Sequence, residues 1–226
     1  MRRLLSYCKL ALACLGLLAT LLVFPGTFSW GAISAPEPLA AGQPHPLWAQ
    51  AVDTRFNLYR MQPGLYRSAL PGEADQPRLA QLGINTVINF YQRTDAQWLN
   101  DPQVHQVHLP LRTDRIDDAD VLQVLRSIRQ AQAQGPVLIH CKHGQNRTGL
   151  IAAMYRIVYQ GWSKAQALDE MRNGGFGGVE RMDDAERYVQ EVDLKRLQAA
   201  LDSGACSTSP WALCAVKARL VNVLNE

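Results

Sequence analysis

The sequence predicts an α/β fold with a central, largely parallel sheet flanked by helices, and three observations support it. The apolar runs 84–90 and 137–139 are rich in β-branched residues, as expected of strands buried on both faces. Residues 117–133 carry apolar side chains at helical spacing, and residues 148–159 form a second apolar segment that contains small residues. Strands that alternate with helices along a chain usually pair in parallel, so these segments should form one layered domain.

Local signals place the other elements in chain order. Pro63-Gly64 between two aromatic-rich runs predicts a hairpin turn, and glycines after apolar segments predict helix ends. The resulting elements are a hairpin over 56–68, a short helix from near Ala74 to a stop at Gly83, a strand over 104–109, a helix over 164–172 capped by Ser163, a glycine-rich loop over 173–178, a helix over 183–201 and a C-terminal helix over 209–223.

The first 34 residues have the features of a signal peptide or an N-terminal anchor. They contain three cations, Arg2, Arg3 and Lys9, and no acidic residue, and the run 10–24 is almost wholly apolar. This run is long for the core of a signal peptide and short for a membrane span, so cleavage and anchoring both stay open. We therefore expect an exported protein, which residues 10–24 would hold at a membrane if they are not cleaved.

Composition divides the rest of the chain into three parts. Four prolines and a glycine between residues 35 and 46 favour a linker over 35–50, followed by a globular domain over 51–202 and a helical extension over 203–226. Apart from the three N-terminal cations, the chain has 20 basic and 20 acidic side chains. This neutral balance gives no reason to expect a nucleic-acid partner.

Three cysteines remain once the N-terminal segment is set aside. Cys206 and Cys214 are close in sequence and far from Cys141. In an oxidising compartment the two could form a disulfide, and two separate buried thiols are the alternative.

The stretch IHCKHGQNRTG over 139–149 combines a cysteine, a glycine and an arginine between a predicted strand and a predicted helix. Backbone N–H groups in such a loop, together with the helix N-terminus, bind anions and favour the thiolate of Cys141, which is a nucleophile. Arg147 can bind two phosphate oxygens at once, and Gly144 permits a backbone conformation or a closeness that a side chain forbids. We expect the sulfur to be open to solvent and the guanidinium to converge with it on one phosphate.

Other residues of this stretch should contact the substrate. Lys142 and His143 lie where they would favour a more anionic substrate, and the Thr148 hydroxyl can donate to the cysteine sulfur and help it leave. The predicted substrate-binding residues are Lys142, His143, Gly144, Gln145, Asn146 and Thr148.

The run from His140 to Gly149 resembles the signature of the cysteine-dependent protein tyrosine phosphatases, and residues 65–71 resemble the segment that opens a dual-specificity phosphatase domain. Together they place the family over residues 51–200. With its N-terminal signal, the chain is similar to the bacterial periplasmic dual-specificity-type tyrosine phosphatases linked to biofilm control. The resemblance implies a dual-specificity phosphatase-like fold, phosphotyrosine-containing protein substrates, a phosphocysteine intermediate on Cys141, and neither a metal nor another cofactor.

The mechanism of this family also implies a general acid on an upstream loop. Asp114 follows a predicted strand and lies in the loop itself, so it is the predicted acid, with Asp117 as the second candidate. Asp117, Asp118 and Asp120 stand where a helix should begin, and capping that helix is their simpler role.

Two other functions use the same loop. Lys142, directly after the nucleophile, resembles the inositol phosphate and phosphoinositide phosphatases, but those relatives usually carry further cations where this chain has the neutral Gln145 and Asn146. The sequence therefore favours a protein phosphatase over an inositol phosphate phosphatase. A phosphate-binding pseudophosphatase is less favoured because a nucleophile, an arginine and an acid candidate are all present.

Overall fold

The computed structural model describes residues 47–177, 181–209 and 211–214. The predicted signal or anchor, most of the predicted linker and most of the predicted C-terminal helix lie outside these residues. None of the helices in the described part of the chain combines the length and the hydrophobicity that a membrane span requires.

Six strands and six α-helices make up the described part of the chain, joined by turns and short 3₁₀ helices. The strands are β1 Gln50–Asp53, β2 Leu58–Gln62, β3 Leu65–Ser68, β4 Thr86–Asn89, β5 His105–His108 and β6 Val137–His140. The helices are α1 Gln76–Gln81, α2 Asp118–Gln132, α3 Asn146–Gln160, α4 Lys164–Asn173, α5 Asp183–Glu191 and α6 Leu194–Ser203.

The strands form a mixed sheet in the order β1-β2-β3-β6-β4-β5. Strands β3, β6, β4 and β5 pair in parallel, whereas β1, β2 and β3 pair antiparallel at one edge. The predicted α/β class and the parallel centre are confirmed, and the predicted hairpin forms the antiparallel edge.

Strand β1 begins inside the segment predicted as a linker. Ala49 is already buried, and its backbone N–H donates to Glu170 Oε1 at 2.6 Å. Glu170 in turn forms a buried ion pair with Arg156, at 2.6 Å between Nη2 and Oε1. The chain is therefore packed against the domain already at Ala49, because a buried carboxylate from α4 binds its backbone there.

The single helix predicted over 183–201 is two helices, α5 and α6. The Asp193 side chain accepts hydrogen bonds from the backbone N–H groups of Lys195 and Arg196, and so caps a new helix after α5 has ended. Continuous amphipathic spacing concealed this break in the sequence.

Both faces of the sheet are buried in apolar side chains. Val137 and Ile139 of β6 belong to the larger core cluster, which α2 to α6 cover, and Leu138 belongs to the smaller cluster, to which α1 contributes Leu79. All four residues of β6 are fully buried. The strand that leads into the candidate site is therefore fixed from both sides.

Cys206 and Cys214 form a disulfide, with Cα atoms 6.2 Å apart. The pairing is thus confirmed over the alternative of two separate thiols. Among the described residues Cys141 is the free cysteine.

Candidate active site

Cys141 lies at the carboxyl edge of the parallel sheet, directly after β6. His140, the last residue of β6, pairs with Ser68 of β3 on one side and with Asn89 of β4 on the other. The carboxyl ends of parallel strands meet ligands in α/β sheets, so this is the expected position for a reactive loop.

The loop that follows Cys141 is tight and leads straight into α3, which begins at Asn146. The backbone N–H of Gly144 donates to Cys141 Sγ at 3.3 Å. Gly144 has φ +75°, and a Cβ there would lie 2.7 Å from backbone atoms of Ser68 and Ala69. Both predicted reasons for a glycine at this position, the conformation and the closeness, are confirmed.

Cys141 is only 1% exposed, which differs from the expectation that its sulfur is open to solvent. The sulfur lies at the floor of the loop because strand β6 ends in the centre of the sheet and the Gly144 N–H covers it. A sulfur buried to this extent is shielded from bulk water.

The Arg147 guanidinium lies at the wall of the site. Among the described residues its hydrogen bonds run to the segment after β4: Nη1 donates to Gln92 Oε1 at 2.7 Å and to the Phe90 carbonyl at 3.5 Å. The ring of Tyr91 is centred 5.4 Å from Arg147 Cζ. The expected convergence of guanidinium and sulfur on one phosphate therefore stays a prediction about the complex.

The other predicted substrate-binding residues of the loop differ in their exposure to solvent. Lys142 and His143 are exposed, and Gln145 and Asn146 are half-buried, with Asn146 Nδ2 donating to the Arg181 carbonyl at 3.0 Å. These positions fit contacts with a bound anion or its neighbouring groups.

Thr148 is completely buried in the first turn of α3. Its hydroxyl oxygen has no hydrogen-bond partner among the described residues, so the predicted hydrogen bond to the Cys141 sulfur is not formed in this structure. The sulfur instead accepts from the Gly144 N–H.

Asp114 lies on a 3₁₀ turn, Thr113–Arg115, between β5 and α2. Its carboxylate is half exposed and pairs with Arg112, at 2.9 Å between Nη2 and Oδ2. The hydrogen bond from Arg112 holds the pKa of Asp114 below its usual value. Asp114 and Arg147 line the same open cleft, as expected for an acid and a phosphate-binding arginine.

The competing carboxylates are engaged elsewhere. Asp117 caps α2 in a capping box with Asp120, whose backbone N–H donates to Asp117 Oδ1 at 3.0 Å. Asp118 accepts hydrogen bonds from the hydroxyls of Tyr188 and Thr208. The predicted capping role of Asp117 is confirmed, and neither Asp117 nor Asp118 lines the cleft of Asp114 and Arg147.

Asp95, which the sequence did not single out, holds His140 beneath the site. It is 3% exposed, and its Oδ2 lies 3.0 Å from His140 Nε2. Its Oδ1 accepts from Trp98 Nε1 at 2.8 Å and from Asn89 Nδ2 at 2.9 Å. His140 is thus held by a partner that is 45 residues away in sequence and has no local signal.

Arg67 is a second arginine that the sequence did not assign. It is 2% exposed, and burial lowers its pKa to about 10. Its Nη2 donates to the Gly144 carbonyl at 2.8 Å, and its Cζ lies 3.6 Å from the centre of the Phe176 ring. A charged residue within an otherwise buried strand was the available sequence signal, because such a residue needs a specific partner.

The glycine-rich segment after α4 lies against the loop between β6 and α3. Asn57 Nδ2 donates to the Phe176 carbonyl at 2.7 Å and to the His143 carbonyl at 3.1 Å, and the Tyr59 hydroxyl donates to the Gly175 carbonyl at 2.7 Å. Residues 174–177 therefore pack as a wall of the site, anchored by the hairpin.

Comparisons with known proteins agree with this geometry. Residues 67–198 match the family model described as a Swiss Army Knife protein, DSP-PTPase phosphatase domain. The chain is 50% identical over 196 residues to the dual specificity protein phosphatase TpbA of Pseudomonas aeruginosa, covering 87% of this chain and 89% of that protein.

A solved structure and a more distant relative extend the comparison. The crystal structure of a cysteine-to-serine variant of P. aeruginosa TpbA in complex with phosphotyrosine matches with a TM-score of 0.68 and 52% identity, over 70% of this chain and 98% of that one. An inositol diphosphatase of Arabidopsis thaliana, DSP3, is 27% identical over 158 residues, covering 64% of this chain and 74% of that protein.

Proposed function

The chain belongs to the dual-specificity-type protein tyrosine phosphatases, and on that premise we propose that it hydrolyses phosphotyrosine in proteins through a phosphocysteine intermediate. The observation that carries the proposal is the loop between β6 and α3, where the Gly144 N–H donates to Cys141 Sγ ahead of a helix N-terminus. Donors and a helix dipole directed into one loop stabilise negative charge on sulfur and on phosphate oxygens.

In the first step Cys141 Sγ attacks the phosphorus atom. The S–P bond forms as the P–O bond to the tyrosyl group breaks, and the electron pair leaves on the phenolate oxygen. Asp114 gives its proton to that oxygen. Arg147 and the loop N–H groups bind the equatorial oxygens, whose negative charge they stabilise most strongly in the transition state.

In the second step water attacks the phosphocysteine. The Asp114 carboxylate takes a proton from the water, the S–P bond breaks, and orthophosphate leaves with the thiolate restored. Thr148 supports the departure of the sulfur, because a buried hydroxyl without a partner gains a hydrogen bond by donating to the thiolate.

The ion pair between Arg112 and Asp114 has to open for the first step. A carboxylate paired with a guanidinium favours the deprotonated form, whereas a general acid must carry its proton. We propose that Asp114 turns from Arg112 toward the leaving oxygen when the substrate occupies the cleft that both residues line.

The test compares wild type with Cys141→Ser and Asp114→Ala on two substrates, phenyl phosphate and p-nitrophenyl phosphate. Cys141→Ser should abolish turnover and still bind a phosphotyrosine peptide. Asp114→Ala should slow phenyl phosphate far more than p-nitrophenyl phosphate, since p-nitrophenolate leaves without a proton. Equal losses on both substrates would move the acid role to another residue, and turnover by Cys141→Ser would refute the proposed intermediate.

Hydrolysis of inositol phosphates is the second candidate function. Lys142 is exposed beside the nucleophile, and DSP3 of A. thaliana, an inositol diphosphatase by name, is a distant relative. A panel of phosphotyrosine peptides, phosphoserine peptides and inositol polyphosphates separates the candidates by kcat/KM. Faster turnover of the inositol polyphosphates would displace the phosphotyrosine proposal.

We further propose that the protein acts outside the cytoplasm and, through that location, in biofilm control. The cationic start and apolar run of residues 1–34 support export, and the disulfide between Cys206 and Cys214 fits an oxidising compartment. Mass spectrometry of the exported protein should find a new N-terminus near residues 31–34. An intact Met1 in membrane fractions would instead favour the anchor, and recovery from the cytoplasm alone would contradict the proposal.

A further inference from the structure

Gln92 joins two parts of the site that are separate in sequence. It lies in the segment after β4, and its side-chain amide makes two hydrogen bonds. Nε2 donates to the Leu111 carbonyl at 2.8 Å, and Oε1 accepts from Arg147 Nη1 at 2.7 Å. Gln92, Leu111, Asp114 and Arg147 all line the same cleft.

Chemistry fixes the orientation of this amide. The Leu111 carbonyl can only accept and the Arg147 guanidinium can only donate, so the nitrogen of Gln92 must face Leu111 and its oxygen must face Arg147. A glutamate at this position could accept a hydrogen bond from Arg147 but could not donate one to the Leu111 carbonyl. An arginine or a lysine could donate to the Leu111 carbonyl but could not accept from Arg147. An amide satisfies both neighbours at once.

The contact leaves Arg147 able to bind phosphate. A guanidinium has five N–H donors, and Gln92 engages Nη1, so the donors on Nε and Nη2 stay available for two phosphate oxygens. Since Gln92 is neutral, its oxygen attracts the guanidinium less strongly than a phosphate does. The arrangement orients Arg147 without competing with the substrate as a carboxylate would.

The other end of Gln92 reaches the base of the loop that carries Asp114. Leu111 is 4% exposed, and its backbone N–H donates to the Phe90 carbonyl at 3.1 Å. The Phe90 carbonyl also accepts from Arg147 Nη1 at 3.5 Å. Leu111 and Arg147 therefore share two hydrogen-bond partners, Phe90 and Gln92, in the short segment after β4.

We propose that Gln92 is a positioning residue that sets the orientation of Arg147 and ties it to the position of the Asp114 loop. This inference rests on the proposed function, because it assigns Gln92 to the reaction of Cys141, Arg147 and Asp114. Gln92 acts through these neighbours and does not itself touch the reacting atoms.

Two variants separate the two contacts, and Gln97→Ala is the matched control. Gln97 is an exposed glutamine five residues further along the same segment. Gln92→Ala removes both hydrogen bonds. Gln92→Glu keeps an acceptor for Arg147 but loses the donor for the Leu111 carbonyl. Its negative charge forms an ion pair with the Arg147 guanidinium and so competes with phosphate for it.

The measurements are kcat/KM for phenyl phosphate and p-nitrophenyl phosphate, and the inhibition constant of inorganic phosphate. Gln92→Ala should lower kcat/KM for phenyl phosphate by about ten- to a hundredfold, the effect of losing a hydrogen bond to a charged group. The loss should be smaller for p-nitrophenyl phosphate, which does not need Asp114. Inorganic phosphate should inhibit Gln92→Ala less strongly than wild type, and Gln92→Glu least strongly of the three.

The outcomes distinguish this inference from the function on which it rests. If wild type is active and Gln92→Ala matches Gln97→Ala in phosphate inhibition and in the ratio of the two substrates, the inference is wrong and the function stands. An equal loss on both substrates with unchanged phosphate inhibition would likewise reduce Gln92 to a structural residue. If wild type is inactive or Cys141→Ser turns over substrate, the proposed function itself fails.

Discussion

Replacing Gly144 with alanine tests whether the close approach of two backbones sets the geometry of the loop between β6 and α3. Gly144 has φ +75°, and an added Cβ would lie 2.7 Å from the backbone of Ser68 and Ala69 at the end of β3. No side chain can rotate away to relieve this contact, because the neighbouring atoms belong to the main chain. The loop must therefore move.

The size of the effect follows from two contributions. A left-handed backbone costs an alanine about 1–2 kcal/mol whatever its surroundings. Restoring an ordinary contact means moving the Cβ from 2.7 Å to 3.4 Å, a shift of about 0.7 Å at the residue whose N–H donates to Cys141 Sγ. Since a misplacement of about 1 Å can lower catalysis about 100-fold, we expect kcat to fall between about 10- and 100-fold.

Gly64 supplies the control for the first contribution. It has φ +77° in the hairpin turn, and nothing lies within 4 Å of a Cβ added there. Gly64→Ala should lower the free energy of unfolding by about 1–2 kcal/mol and leave kcat for p-nitrophenyl phosphate unchanged. If Gly144→Ala also keeps kcat within about twofold of wild type, the closeness at Ser68 does not set the catalytic geometry.

Two further substitutions test charges described above. Arg112→Ala removes the partner that lowers the pKa of Asp114, so this pKa should rise and the basic limb of the kcat/KM profile should move to higher pH; an unmoved limb would show that Asp114 does not govern it. Glu170→Gln leaves Arg156 buried without a counter-charge and weakens the hydrogen bond from Ala49. The free energy of unfolding, measured by urea denaturation, should therefore fall by about 3–5 kcal/mol. An unfolding free energy equal to that of wild type would contradict this account of the buried pair.

The chemistry of the candidate site was readable from the sequence because its main residues are neighbours in the chain. Cys141, Gly144 and Arg147 fall within seven positions between a buried strand and a helix, so local geometry predicts the loop. The capping role of Asp117 was predictable for the same reason, since a capping box spans four residues.

Contacts between distant segments were not readable in this way. Asp95 and His140 meet because β4 and β6 are neighbours in the sheet, and Gln92 meets Arg147 for a related reason. The order of strands in a sheet is a tertiary property, and no local spacing encodes it. The burial of Cys141 was missed on the same ground, because it depends on which strands flank β6.

The placement of β6 between two parallel partners has a consequence for how the protein loses activity on heating. To expose β6, the chain must break its ladders with β3 and β4 and open both apolar layers, which amounts to unfolding the domain. The amide protons of Leu138 and Ile139 should then exchange with solvent at the rate of global opening. Thermal inactivation and cooperative melting should coincide, because Cys141 directly follows β6 and keeps its position until the domain unfolds.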